Sequence, residues 1–189
     1  MPGSWVEIAN SALTKLGAPP IADFDEDTRA ASLMSERQEP CRYFVLSQHP
    51  WNCAISRAQL APDVGVPAFG FDAAFTLPAD CLRPLRPENI DAWGRYTVEG
   101  GKILANTDIL NLRYVAKVTV PTVVPEYLAE TIAWYLASDT AYALTQDEDV
   151  RRMCANTYAE ALKKAKFLDS SENLNQRLSA RHFLSVRLG

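Results

Sequence analysis

Apolar residues recur at helical spacing toward both ends of the chain and alternate in its middle, a pattern that predicts a helical protein with a β-rich insertion. The first helix is marked most sharply. Ser4 and Glu7 have capping-box spacing, in which each side chain satisfies an orphan backbone donor of the first turn. Trp5, Ile8, Ala9, Ala12, Leu13 and Leu16 then share a face, Gly17 supplies a left-handed stop, and Pro19 and Pro20 prevent an immediate restart. An acidic turn, Asp23 to Asp27, leads into a second helix near Thr28, with Ala30, Leu33, Met34, Cys41, Phe44 and Val45 on its apolar face. Pro40 lies inside that pattern and lacks the donor to the residue four back, which predicts a kink or a split. His49-Pro50-Trp51 ends the segment.

Between Asn52 and Val120 lie half of the prolines and glycines, punctuating short alternating runs that read as strands. With Gly100-Gly101 as a two-residue loop, Glu99 faces Lys102 and Val98 faces Ile103, a hairpin register that matches opposite charges and apolar side chains. A longer strand follows. It places Leu110, Leu112, Tyr114, Ala116 and Val118 on one face and Asn111, Arg113 and Lys117 on the other, so one face is expected to be wet. Residues 54–60 and 73–77 carry shorter strand patterns.

Helix resumes at Pro125, a residue suited to a first turn. From Glu126 to Leu144 apolar and small residues cover nearly the whole circumference. Tyr127, Leu128, Ile132, Tyr135 and Leu136 form a broad face, and Ala129, Ala133, Ala137 and Ala141 a smooth stripe. Such a helix must be buried on several sides, as a central bundle helix or with one face in an oligomer. The next helix opens on a second capping-box pattern, Thr145 with Glu148. It runs through Val150, Met153, Cys154, Thr157, Tyr158, Ala161, Leu162 and Ala165. The fold class expected is therefore α+β: a bundle of about four helices (residues 1–51 and 121–168), an inserted small antiparallel β region (52–120) and an extended C-terminal tail (169–189).

Charge adds a further division. The net charge is −4, which argues against a sequence-reading DNA-binding domain. Residues 1–150 hold 11 basic and 20 acidic residues, whereas residues 151–189 hold 8 basic and 3 acidic. This asymmetry fits either a cationic segment for an acidic partner or a helix end matched to its dipole, since Lys163, Lys164 and Lys166 close the last helix. Beyond it, Arg177, Arg181 and Arg187 are interspersed with Leu178, Phe183, Leu184, Val186 and Leu188. We read this as a docking segment, the alternative being that it packs back on its own bundle. A composition 48% hydrophobic and 22% charged is that of a globular chain rather than a disordered one. With no signal-peptide pattern and no apolar stretch of bilayer length, a soluble intracellular chain is expected.

The chain offers little for catalysis. Cys41, Cys53, Cys81 and Cys154 are far apart and the histidines are His49 and His182, so the paired ligand spacing of a zinc site is missing and buried or half-buried free thiols are expected. There is no phosphate-binding glycine loop, no Gly-x-Ser-x-Gly, and the Asp147/Glu148 pair is suited to starting a helix. No catalytic residue, metal or cofactor is expected. Basic–aromatic neighbours such as Arg113-Tyr114 and Arg181-His182-Phe183 are scattered along the chain, too sparsely for a nucleic-acid stacking platform.

The order of motifs resembles the tail tubular protein A family of short-tailed bacteriophages, the head-to-tail adaptors beneath the portal. The likeness is carried by VEIANSALTKLGAPPIADFDEDTRAA (6–31), RYFVLSQHPWNCA (42–54), FTLPADCLRPL (75–85), YTVEGGKILAN (96–106) and LRYVAKVTVPTVVPEYLAETIAWYLA (112–137). Pro40 and Val120-Pro121 depart from the family pattern, and nothing beyond Asp169 matches it. The resemblance implies a non-enzymatic virion protein of the neck and tail, assembled in the host cytoplasm. It implies a dodecameric ring joining portal protein to the tail nozzle or tube, with double-stranded DNA passing through its lumen without sequence-specific binding and no membrane involved. On that reading Ala129, Ala133, Ala137 and Ala141 would let subunits approach closely, and Glu99, Gly100, Gly101 and Lys102 would face the tail partner. Arg177, Leu178, Arg181, Phe183, Leu184, Val186, Arg187 and Leu188 would dock on the portal by strand addition or helix-in-groove contact. The acidic body would discourage phosphate from adhering. Other readings are a head-completion connector of a long-tailed phage, a nucleic-acid-binding packaging factor and, ranked last, a small hydrolase using His49 or His182.

Overall fold

The computed structural model describes residues 1–90 and 94–172. The fold is α+β: four helices and two three-stranded antiparallel sheets. The chain divides into two compact units, one formed by residues 1–41 with the chain from Pro121 onward, the other by Arg42–Val120. The C-terminal tail expected to extend from the bundle lies, from residue 173 onward, outside the described residues.

The helical unit begins with α1 (Trp5–Lys15). Ser4 Oγ accepts from the Glu7 N–H at 3.2 Å, while the Glu7 carboxylate takes the Gly3 N–H at 2.6 Å, one residue earlier than in the reciprocal box. Gly17 adopts φ +68° and stops the helix. Asn10 then pins the returning chain, its amide bonding both the N–H and the C=O of Ile21 at 2.8 Å. Helix α2 (Arg29–Ser47) starts where Thr28 Oγ1 accepts from the Ala31 N–H at 3.1 Å. It does not split: Pro40 stands inside a continuous helix, on the exposed side, where water can take up the carbonyl freed four residues back. Phe44, expected on the apolar face, is exposed, and the buried positions near it are Val45 and Leu46.

Helix α3 (Glu126–Thr145) is the centre of this unit. It packs most extensively on α4 (Glu148–Glu172) and also on α1. Lys15 bridges to Glu130 at 3.0 Å and lies over the Trp134 ring, Arg37 forks onto Asp139 at 2.7 and 3.2 Å, and Tyr135 meets Tyr158 with ring centroids 4.9 Å apart. The α3–α4 corner differs from the expected capping box. Thr145 ends α3 by bonding back to the Ala141 carbonyl, and Asp147 caps α4 by accepting from the N–H groups of Asp149 (2.8 Å) and Val150 (3.3 Å). Glu148 pairs forward with Arg151 instead of reaching back. Gln146, at φ 53°, makes the turn between the helices.

In the β unit, β1 (Ile55–Leu60), β6 (Leu110–Ala116) and β3 (Cys81–Pro84) form one sheet in the order β1-β6-β3. The other sheet has the order β2-β5-β4, with β2 Ala73–Thr76, β4 Tyr96–Glu99 and β5 Lys102–Ala105. Phe75, Ile103 and Ala105 of the second sheet join Leu110, Leu112, Tyr114 and Ala116 of the first in one apolar cluster. On the other side of β6, Asn111 is exposed, but Val115 is buried, so only part of that face is wet. Arg57 stands opposite Arg113 in the register, a like-charge pair that Glu88 offsets at 4.0 and 3.5 Å. The end of α2 belongs to this unit. Tyr43 lies under Lys117, and Trp51, fully buried, donates its indole N–H to the Val45 carbonyl at 3.1 Å.

Candidate partner-binding surfaces

The hairpin has the register read from its loop: Glu99 opposite Lys102, Val98 opposite Ile103. Gly100 and Gly101 take φ +57° and +73°, as a two-residue loop with both central residues left-handed requires. All four positions, Glu99, Gly100, Gly101 and Lys102, are exposed. What the sequence did not reveal is the partner of Lys102. Its ammonium sits 2.7 Å from Asp63 Oδ2, and Asp63 also accepts from Thr76 Oγ1 at 2.9 Å. These two donors hold the Asp63 carboxyl below the ordinary carboxylate range, the Lys102 hydrogen bond contributing most and Thr76 next.

Asp63 opens the β1–β2 connection, residues 61–72, and fixes its base. Its N–H bonds the Ala74 carbonyl at 2.8 Å, and at the far end the Asp72 N–H bonds Asn106 Oδ1 at 3.0 Å. Between these anchors Val64 and Phe69 are almost wholly exposed and Val66 is 73% exposed. Isolated surface apolar residues are ordinary; three within six residues on one anchored loop are not. Asp63, Asp72 and Asp108 border a concavity of about 520 Å³ beside Val66. The available signal was the segment VGVPAFGF, apolar where turn-punctuated connections are usually polar.

Other expected sites fall differently. Ala129 is 6% exposed, and Ala133, Ala137 and Ala141 are fully buried by the chain itself. The stripe lets helices approach closely inside one chain and presents no open surface to another copy. Arg177, Leu178, Arg181, Phe183, Leu184, Val186, Arg187 and Leu188 lie outside the described residues. The tail boundary at 169 moves as well. Asp169, read as the start of a polar loop, belongs to α4, is 1% exposed and accepts from the Tyr127 hydroxyl at 3.3 Å. That extension removes the dipole explanation for Lys163, Lys164 and Lys166. The helix has no basic residue in its last turn, and the dipole acts only there. Lys163 and Lys164 instead stand one turn before Phe167 and Leu168, which are 73% and 44% exposed.

The described residues contain no group of three or more metal-ligating side chains and no helix long and apolar enough to cross a membrane. His49 packs edge-on to Trp51 at 4.8 Å, and the four cysteines are free. Burial pushes the Cys41 thiol up to about 12, away from thiolate chemistry at neutral pH. No known family model and no curated protein matches this chain.

Proposed function

We propose that this chain is a non-enzymatic head-to-tail adaptor of a bacteriophage virion, a subunit of a ring between portal and tail nozzle or tube through which the genome passes. The observation that carries this reading is the insertion topology: an antiparallel β unit between the second and third helices of a bundle. Its elements fall in the order of the motifs that resemble tail tubular protein A. The exposed hairpin at Glu99–Lys102 fits a surface facing the tail partner. The net charge of −4 suits a protein that DNA passes without binding. The segment with Arg177, Arg181, Phe183, Leu184 and Arg187 supplies the portal contact in this reading.

The test is particle mass by light scattering, for the chain alone and after mixing with the portal ring encoded by the same genome. One copy bound per portal subunit is the expected result. A chain that leaves the portal mass unchanged overturns the reading. Truncation after Glu172, which keeps all of α4, is expected to abolish portal binding and leave the fold intact. Wild-type affinity in the truncated chain would remove the docking role from the tail.

A further inference from the structure

We propose that copies of this chain join head to tail, the apolar loop 61–72 of one copy seating on Phe167 and Leu168 near the end of α4 of the next. This deepens the ring reading and rests on it only in requiring that copies meet. Each surface sets apolar side chains beside charges opposite to the other's. The loop presents Val64, Val66 and Phe69 to solvent beside a concavity bordered by Asp63, Asp72 and Asp108, with Lys102 paired to Asp63 and Arg95 lying over Phe71. The last turns of α4 present Phe167 and Leu168 beside Lys163 and Lys164, with Glu160 one turn before them.

The α4 patch has local order. Lys163 stands four residues before Phe167 and Lys164 four before Leu168, so each apolar side chain has an ammonium as its neighbour along the helix. An apolar centre with a charged border is the arrangement of a protein interface, and opposite borders set its partner and register. Neither surface is explained inside its own unit: the lysines lie before the last turn, and the loop is anchored by Asp63 and Asp72 at its base while its tip stays open. Because the two surfaces differ, the contact is heterologous, the kind that propagates from copy to copy and closes when the rotation permits.

The experiment replaces Phe69 with the photo-crosslinking residue p-benzoylphenylalanine in the full chain. Isotopically heavy copies carrying it are mixed with light copies lacking it, alone and on the portal ring. The expected product is a heavy–light cross-link to the α4 segment 160–172. Loop-to-loop cross-links, cross-links only to 173–189 or to the portal, or no cross-link between copies in either setting overturn the proposal. In parallel, D72K/D108K and K163E/K164E/K166E are each expected to weaken self-association measured by sedimentation about tenfold, and their combination to restore it. Failure of the combined variant to recover also overturns the proposal. Portal binding without the loop–α4 cross-link would leave the adaptor reading standing, whereas the cross-link without portal binding would leave this contact standing alone.

Discussion

Lys102 and Asp63 meet at 2.7 Å, and this ion pair ties the β4–β5 hairpin to the base of an exposed apolar loop of the β unit. Cross-strand geometry puts Lys102 opposite Glu99, yet the ammonium goes to Asp63, where Thr76 supplies a second donor. The pair positions a loop more than it stabilises a fold, because exposed ion pairs contribute little to global stability.

Asp63→Asn is therefore expected to leave the unfolding midpoint nearly unchanged while speeding hydrogen exchange and protease cleavage within residues 61–72. The wild-type loop should loosen on acidification in the same way. The Asp63 carboxyl titrates below its unfolded value of about 4, so its contribution is present above that pH and is lost as pH falls through the lower, folded value. Loop protection that is unchanged by both acid and the substitution would show that the anchor lies elsewhere.

The hairpin glycines give a second prediction. A Cβ at Gly100 or Gly101 would meet no atom within 4 Å, so any cost of Ala there is backbone strain at positive φ and not a clash. Gly100→Ala and Gly101→Ala should each destabilise the chain by about 1 kcal/mol, and Gly100→Asn by less, because Asn tolerates the left-handed region. Urea denaturation with an unchanged m-value is the check.

Much of this was legible because local signals agreed with tertiary ones. The hairpin register followed from loop length alone, and the first helix from its cap and its Gly17 stop. Where local patterns misled, a longer-range contact had decided. Asp169 reads as loop, but the Tyr127 hydroxyl across the helix pair holds it within α4. Thr145 and Glu148 have capping-box spacing, but Asp147, nearer the first free donors of α4, takes the cap. The apolar loop at Val64–Phe69 was hidden by the expectation that exposed connections are polar, an expectation that interaction surfaces break.

The alanine stripe supplies a third prediction, which separates burial inside the chain from burial between chains. Ala133 and Ala137 are fully buried in the isolated chain, so Ala133→Leu or Ala137→Leu forces extra methyl groups into a filled space. Each is expected to lower the stability of the monomer by about 1–3 kcal/mol. Thermal unfolding of the dilute chain checks this directly, and a variant as stable as wild type would return the stripe to the role of an external surface.

The last prediction concerns alkaline pH and the seam between α3 and α4. Tyr127 points its hydroxyl at Asp169 and Glu172, each at 3.3 Å, and burial followed by the two carboxylates raises its phenol above the ordinary range. Tyr158 is pushed up to about 12, chiefly by burial, and Tyr135 shifts in the same direction for the same reason. A folded pKa above the unfolded value means that the unfolded chain loses its proton first as pH rises. The stabilisation is complete below about pH 10, the unfolded phenol value, and is lost progressively as pH climbs toward the folded ones. Tyr127→Phe removes one phenol and one hydrogen bond to a buried carboxylate. It should cost about 1–3 kcal/mol at neutral pH, because Asp169 is left with one donor fewer at a 1%-exposed position. It should also flatten the alkaline decline relative to wild type. Urea midpoints measured from neutral to alkaline pH, beside the phenolate absorbance of the folded chain, test both halves. A variant whose alkaline decline parallels that of wild type would show that Tyr127 is not among the phenols that link proton loss to unfolding of this bundle.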